Sequence, residues 1–145
     1  FNRLNIIFSR IIMNIRSLEK KDIDQVIELW ANAFSSRYDK EKCLTNVSDP
    51  NSITLIAEKD NTIIGVASLY IIQKLTRKLG LIEDVAVNKN YRGNGTGKSL
   101  VESLVQISFK NNCDKTMLNT SEINIPFYEK MGFEKKEVQM IIRKP

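Results

Sequence analysis

Residues 81–104, LIEDVAVNKNYRGNGTGKSLVESL, decide how the rest of the chain is read. Leu81 to Val87 is apolar and β-branched around a central Glu83-Asp84 pair, which suits a strand in the middle of a sheet. A short polar turn leads into Arg92-Gly93-Asn94-Gly95-Thr96-Gly97, after which Leu100, Val101, Leu104, Val105 and Ile107 recur at helical spacing. The unit is strand, glycine-rich turn, helix, with the helix starting near Gly97. Glycines let a backbone approach a ligand closely, and the first N–H groups of a helix lack internal partners. Together with the helix dipole they make an anion site of the kind a pyrophosphate fills.

Competing phosphate loops fit less well. A P-loop needs Gly five residues before the Gly-Lys-Ser at 97–99, where this chain has Arg92. The dinucleotide fingerprint G-x-G-x-x-G does not match glycines at 93, 95 and 97. The pattern that does fit is Arg-x-x-Gly-x-Gly, from Arg92 through Gly95 to Gly97. It resembles the pyrophosphate loop of the GNAT-family N-acetyltransferases, which hold the diphosphate of acetyl-CoA; a plain glycine-rich turn is the alternative.

The chain has 145 residues, 42% hydrophobic and 27% charged, as expected for one globular domain. Its net charge of +5 favours an anionic ligand, but the lysines are scattered, which argues against nucleic acid. With no His and only Cys43 and Cys113, neither a metal site nor a disulfide framework is expected. Free, buried thiols point instead to a reducing, cytoplasmic setting. Residues 1–12, FNRLNIIFSRII, carry Leu4, Ile7, Phe8, Ile11 and Ile12 on one helical face and are too short for a membrane span. They are read as an extension outside the catalytic unit, which then occupies residues 13–145.

Met13 to Leu18 is expected as a first strand, followed by a helix capped by Asp22 and carrying Ile23, Val26, Ile27, Leu29, Trp30 and Phe34. A second helix over 39–46 places Arg37, Tyr38 and Lys40 either at a substrate mouth or on solvated surface. Ser52 to Glu58 and Thr62 to Ile72 form a hairpin about Lys59-Asp60-Asn61, and Gln73 to Gly80 reads as a loop. Beyond the helix at 97–111 come a short strand at Lys115 to Asn119 and a short helix from Asn124 to Met131 stopped by Gly132. A last strand pair should start at Phe133 and end in Val138-Gln139-Met140-Ile141-Ile142-Arg143. The segment from Asn124 through Phe127, Tyr128 and Gly132-Phe133 also resembles a GNAT motif, in the order that family requires. The resemblance implies an α+β GNAT fold, a mostly antiparallel sheet flanked by helices and splayed at the central strand around acetyl-CoA.

Ile82 to Val87, Tyr91-Arg92-Gly93, Asn112-Cys113, Phe127 to Lys130 and Val138 to Lys144 together look like the glucosamine 6-phosphate N-acetyltransferases. That resemblance implies an intertwined homodimer making N-acetylglucosamine 6-phosphate for the UDP-N-acetylglucosamine route, with no metal, nucleic acid or membrane involved. It assigns the pantetheine arm to the backbone of Val85, Ala86 and Val87. The pyrophosphate falls to the backbone from Arg92 to Gly97, with Lys98 or Ser99, and Asn124 and Phe127 lie beside the cofactor. Tyr128 stands near the leaving sulfur and Glu83 and Asp84 contact the amino sugar, with Glu83 guiding the amine proton away. Arg143 takes the sugar phosphate across the dimer. For each, a plain structural role is the alternative: a core aromatic, an ion pair, a solvated terminal charge. Strand alternation sets Glu83 and Asp84 on opposite faces, against a simple carboxylate dyad.

One position departs from that family. Where it usually has an acidic residue, this chain has Asn119, which can hydrogen-bond a hydroxyl or amine but carries no charge. Acetylation of another small amine or of a protein or peptide amine is therefore a rival, as is a non-catalytic acetyl-CoA-binding regulator.

Overall fold

In the computed structural model, which describes residues 13–145, the hairpin anticipated at 52–72 is the backbone of the sheet. β1 (Asn14–Ser17) pairs antiparallel with β2 (Ser52–Lys59), β2 with β3 (Thr62–Gln73), and β3 with β4 (Lys78–Val87). β5 (Lys115–Leu118) closes the far edge parallel to β4, giving the order β1-β2-β3-β4-β5. The β2–β3 turn puts Asp60 at φ 49° and Asn61 at φ 61°. Both are residue types that tolerate the left-handed region a two-residue hairpin turn needs. The basic loop after β3 is shorter than its composition suggests: Lys74 N–H donates to Arg77 O at 2.8 Å, and Lys78 to Gly80 already belong to β4.

Among the described residues four α-helices flank the sheet: α1 (Ile23–Phe34), α2 (Lys40–Asn46), α3 (Thr96–Lys110) and α4 (Ile125–Glu129). Alternation, interrupted by bulges in the β2–β3 and β3–β4 pairs, divides the strand side chains between two cores. Leu55, Ala57, Ile64, Ala67, Leu69 and Ile82 pack with Leu100, Val101 and Leu104 of α3. Ile56, Ile63, Val66 and Ala86 pack with Val26, Leu29 and Trp30 of α1. Cover on both faces explains why β2 and β3 read as nearly unbroken apolar runs.

Three expectations are corrected. Asp22 does not cap α1 with its side chain. Its buried carboxylate accepts from Glu19 N–H at 2.8 Å and from both terminal nitrogens of Arg16 at 2.7 and 2.9 Å. Buried beside a guanidinium, it finds a stronger partner there than the helix end offers. The last strand pair is also absent: residues 133–145 form no strand, and Val138, Met140, Ile141 and Ile142 are 88, 92, 65 and 99% exposed. A β-prone sequence becomes a strand only where an edge and an apolar face receive it. Here the segment joins neither the outer edge of β5 nor the open edge of β4, and its apolar side chains stay uncovered. Finally, simple alternation fails in β4. Ser68 pairs with Glu83 but Val66 with Ala86, so β4 carries one residue more than β3 across this step. The extra residue is accommodated by a bulge at which Asp84 sits at φ 55°.

Candidate active site

β4 is where the site begins. Its pairing with β5 runs from Leu79↔Lys115 to Ile82↔Leu118 and stops, while β4 continues to Val87 with only β3 beside it. From Glu83 onward the edge that faced β5 has no strand partner among the described residues, and the sheet parts there. The splay anticipated for the central strand is therefore present, and Val85, Ala86 and Val87 lie along it.

The chain then turns through Asn88, whose side chain accepts from Asn90 N–H at 3.0 Å, into the glycine loop. Arg92 folds back so that its Nε donates to Val87 O at 3.1 Å, and Asn94 Nδ2 donates to Tyr91 O at 3.3 Å. Gly93 and Gly95 adopt φ 78° and 84°, conformations that disfavour a side chain, and Gly95 is the N-cap of α3. Thr96 is 1% exposed and its hydroxyl lacks a hydrogen-bond partner. A Cβ on Gly97 would sit 3.4 Å from both Phe127 and Val87, so loop, α4 and β4 meet in ordinary contact at this point. Lys98 is turned along the helix towards Glu102 at 3.8 Å, and Ser99 N–H closes the first helical turn onto Gly95 O. Free N–H groups at a helix start, an orphaned buried hydroxyl and glycines at positive φ that open onto free space fit a diphosphate.

On the other side of the parting, α4 begins after Asn124, whose Nδ2 donates to Ser121 Oγ at 3.2 Å. Phe127 and Tyr128 meet edge to face at 4.9 Å, and Tyr128 packs likewise on Phe133 at 5.9 Å. Tyr128 is half-buried against the α3-side core, and that burial raises its phenol above the ordinary value.

The two carboxylates are both pushed upward. Burial is the main cause for Glu83, the charge of Asp84 adds to it, and a hydrogen bond from the Asn119 side chain works against them. For Asp84, burial is the cause. The charge of Asp84 reaches Glu83, while of the two only Asp84 lines the cavity on the α1 side. Asn119, the residue that departs from the sugar-specific pattern, acts directly on Glu83. Arg143 stands apart: it lies in the exposed tail, and its own chain does not bring it to β4.

Beyond Asp84 opens a cavity of about 480 Å³ between α1, α2 and the sheet, lined among others by Trp30, Arg37, Tyr38, Cys43, Tyr70 and Asp84. Trp30 was anticipated only as core. It is 8% exposed, but its Nε1 donates to the carbonyl oxygen of Asp84 at 3.0 Å, and its ring meets Tyr38 at 5.5 Å. A buried indole N–H must find an acceptor, and that rule was the available clue. Of the cluster Arg37, Tyr38 and Lys40, the first two line the cavity; Lys40 instead pairs with Asp24 on the surface at 2.7 Å. Cys43 is a free, partly buried thiol whose pKa burial raises, and Cys113 is free and buried.

A parted central strand, an anion-binding loop opening the next helix and an aromatic pair across the gap define an acyl-CoA-type transferase site. The acetyltransferase (GNAT) family profile matches residues 14–133, and the chain belongs to that family. It is an N-acetyltransferase, moving an acetyl group to an amine. It is similar to a glucosamine 6-phosphate N-acetyltransferase of Trypanosoma brucei brucei, 37% identical over 88% of this chain and 93% of that protein. Glucosamine 6-phosphate N-acetyltransferase 1 of Dictyostelium discoideum is 44% identical over 64% of this chain and 61% of its own length. The crystal structure of glucosamine-6-phosphate N-acetyltransferase from Arabidopsis thaliana superposes with a TM-score of 0.81 at 30% identity, covering 90% of this chain and 97% of that one.

Proposed function

We propose that this enzyme acetylates the amine of glucosamine 6-phosphate with acetyl-CoA, in the cytoplasm and as a homodimer, supplying N-acetylglucosamine 6-phosphate for UDP-N-acetylglucosamine synthesis. The observation that carries the reading is the place of Glu83 and Asp84. They stand where β4 leaves β5, with the glycine loop beyond one end of the open edge and the cavity under Trp30 on the other side. The likeness to enzymes of that name supports the choice of sugar phosphate.

Acetyl-CoA supplies the activated acetyl thioester. Backbone groups of Val85, Ala86 and Val87 hold its pantetheine arm as an added strand, and one of these N–H groups faces the carbonyl oxygen. The backbone from Arg92 to Gly97, with Lys98 and Ser99, holds the diphosphate, while Asn124 and Phe127 flank the arm. Glu83, with its affinity for protons raised by burial and by Asp84, takes the proton that the amine must lose as it forms the amide. Asp84 and Asn119 orient the sugar. Tyr128, whose phenol stays protonated in its half-buried place, donates to the departing sulfur. The exposed, strand-patterned tail supports the dimer: pairing with a second copy would cover Val138, Met140, Ile141 and Ile142 and carry Arg143 to the partner's acceptor.

The test is CoA release from acetyl-CoA with glucosamine 6-phosphate, glucosamine or a lysine peptide as acceptor. Strong preference for the phosphorylated sugar is expected. Release with another amine alone would discard the sugar phosphate, and binding of acetyl-CoA without release to any acceptor would favour a regulator.

A further inference from the structure

The cavity beyond Asp84 has a polarity that its lining fixes. Four charged residues border it: Arg37, Asp39, Lys42 and Asp84. Lys42 and Asp39 face each other at 3.8 Å, one turn apart at the start of α2, and largely cancel. Arg37 has no carboxylate within ion-pairing distance among the described residues, and Asp84 makes no ion pair there either. What remains is one cation and one anion, on a wall that combines Trp30, Tyr38 and Tyr70 and small hydroxyls such as Ser68 with aliphatic side chains such as Ile23 and Ile53. A cavity of that pattern suits a ligand with an ammonium group at one end and an anion at the other.

The loop that carries Arg37 is held at both ends. Ser35 ends α1 in the left-handed region at φ 52°, and its N–H donates to Ala31 O at 3.0 Å. Asp39 caps α2 by accepting from Glu41 N–H at 3.0 Å. Between these two fixed points Tyr38 lies against the Trp30 ring, and Trp30 is tied to Asp84 itself. The loop that carries Arg37 is therefore anchored to the strand that carries the acceptor carboxylates.

We propose that Arg37 binds the anionic group of the acceptor at the rim of this cavity, from the same chain whose Asp84 faces the amine end. The inference rests on the sugar-phosphate reading above and extends it. Acceptor selection then has an element within each protomer, independent of any arginine brought by a second copy. A guanidinium fork matches a phosphate bidentately, and its loss is felt only by acceptors that carry the anion.

The experiment compares wild type, Arg37→Ala and Arg37→Lys with glucosamine 6-phosphate and glucosamine, and adds inorganic phosphate as a competitor. Arg37→Ala is expected to raise KM for glucosamine 6-phosphate about 10- to 100-fold, the size of a lost charge-assisted contact, and to collapse the preference over glucosamine. Arg37→Lys should recover part of it, and inorganic phosphate should inhibit the wild type far better than Arg37→Ala. Unchanged KM and unchanged phosphate inhibition in Arg37→Ala, with the wild type still preferring the phosphorylated sugar, would overturn the role of Arg37 alone. A wild type that does not distinguish the two sugars would overturn the sugar-phosphate reading and this inference together.

Discussion

The two sides of β4 are built from different material. Towards β5 the site consists of backbone: an unpaired strand edge, glycines at positive φ and the first turn of α3. Towards α1 it consists of side chains that converge from distant points of the chain, with Trp30 reaching Asp84 across 54 positions and Ser17, Ser52 and Tyr70 joining them. A surface of main-chain donors serves any acyl-CoA and fixes the donor. A surface of side chains can change one residue at a time, and so it sets the acceptor. Mutations on the two sides should therefore separate cleanly into effects on acetyl-CoA and effects on the amine.

The strongest break lies at the junction. Glu83→Gln keeps the shape and removes the proposed base, so turnover should fall by about 10²- to 10⁴-fold, while calorimetry should find acetyl-CoA binding unchanged. Turnover within a few-fold of wild type would mean that the amine loses its proton elsewhere. Next comes the backbone side. Gly95→Ala places a Cβ at φ 84°, a strain of about 1–2 kcal/mol, and should weaken acetyl-CoA binding by roughly 5- to 30-fold. The KM for the amine should hardly move; if it rises as much as the acetyl-CoA Kd, the two sides are not separable.

That division also explains what could be read from residues alone. Residues 81–104 form one contiguous strand-loop-helix unit whose signals are local, a glycine pattern and a change of period, and the structure has the strand, glycine turn and helix start they imply. The acceptor side has no such signal. The bulge at Asp84 depends on the mismatch between β3 and β4, and alternation counted along one strand cannot reveal it. The tail from Phe133 reads as strand because its apolar pattern is right, yet pattern alone does not supply an apolar face to cover it. Trp30→Phe sharpens the point: it keeps the aromatic core but leaves Asp84 O without its donor. It should cost about 1–3 kcal/mol of stability in denaturant unfolding and lower kcat by ~10-fold, again with acetyl-CoA affinity intact. A drop in stability alone would reduce Trp30 to packing.

The smallest expected effect is the most specific to this sequence, and it concerns Asn119. As the proposed base Glu83 works only when deprotonated, so activity should be present above its raised pKa and be lost as pH falls through it. Asn119 pulls that pKa down by hydrogen-bonding the carboxylate, whereas Asp84 and burial push it up. Asn119→Ala removes only the hydrogen bond, and Asn119→Asp in addition sets a like charge beside Glu83, so both should move the acid limb of kcat/KM to higher pH. The aspartate should move it further than the alanine. Comparing acceptors of different amine basicity separates this limb from deprotonation of the substrate, since only the Glu83 limb follows the substitution. If the acid limb stays in place in both variants, Asn119 does not govern the base, and its contact is with the acceptor alone.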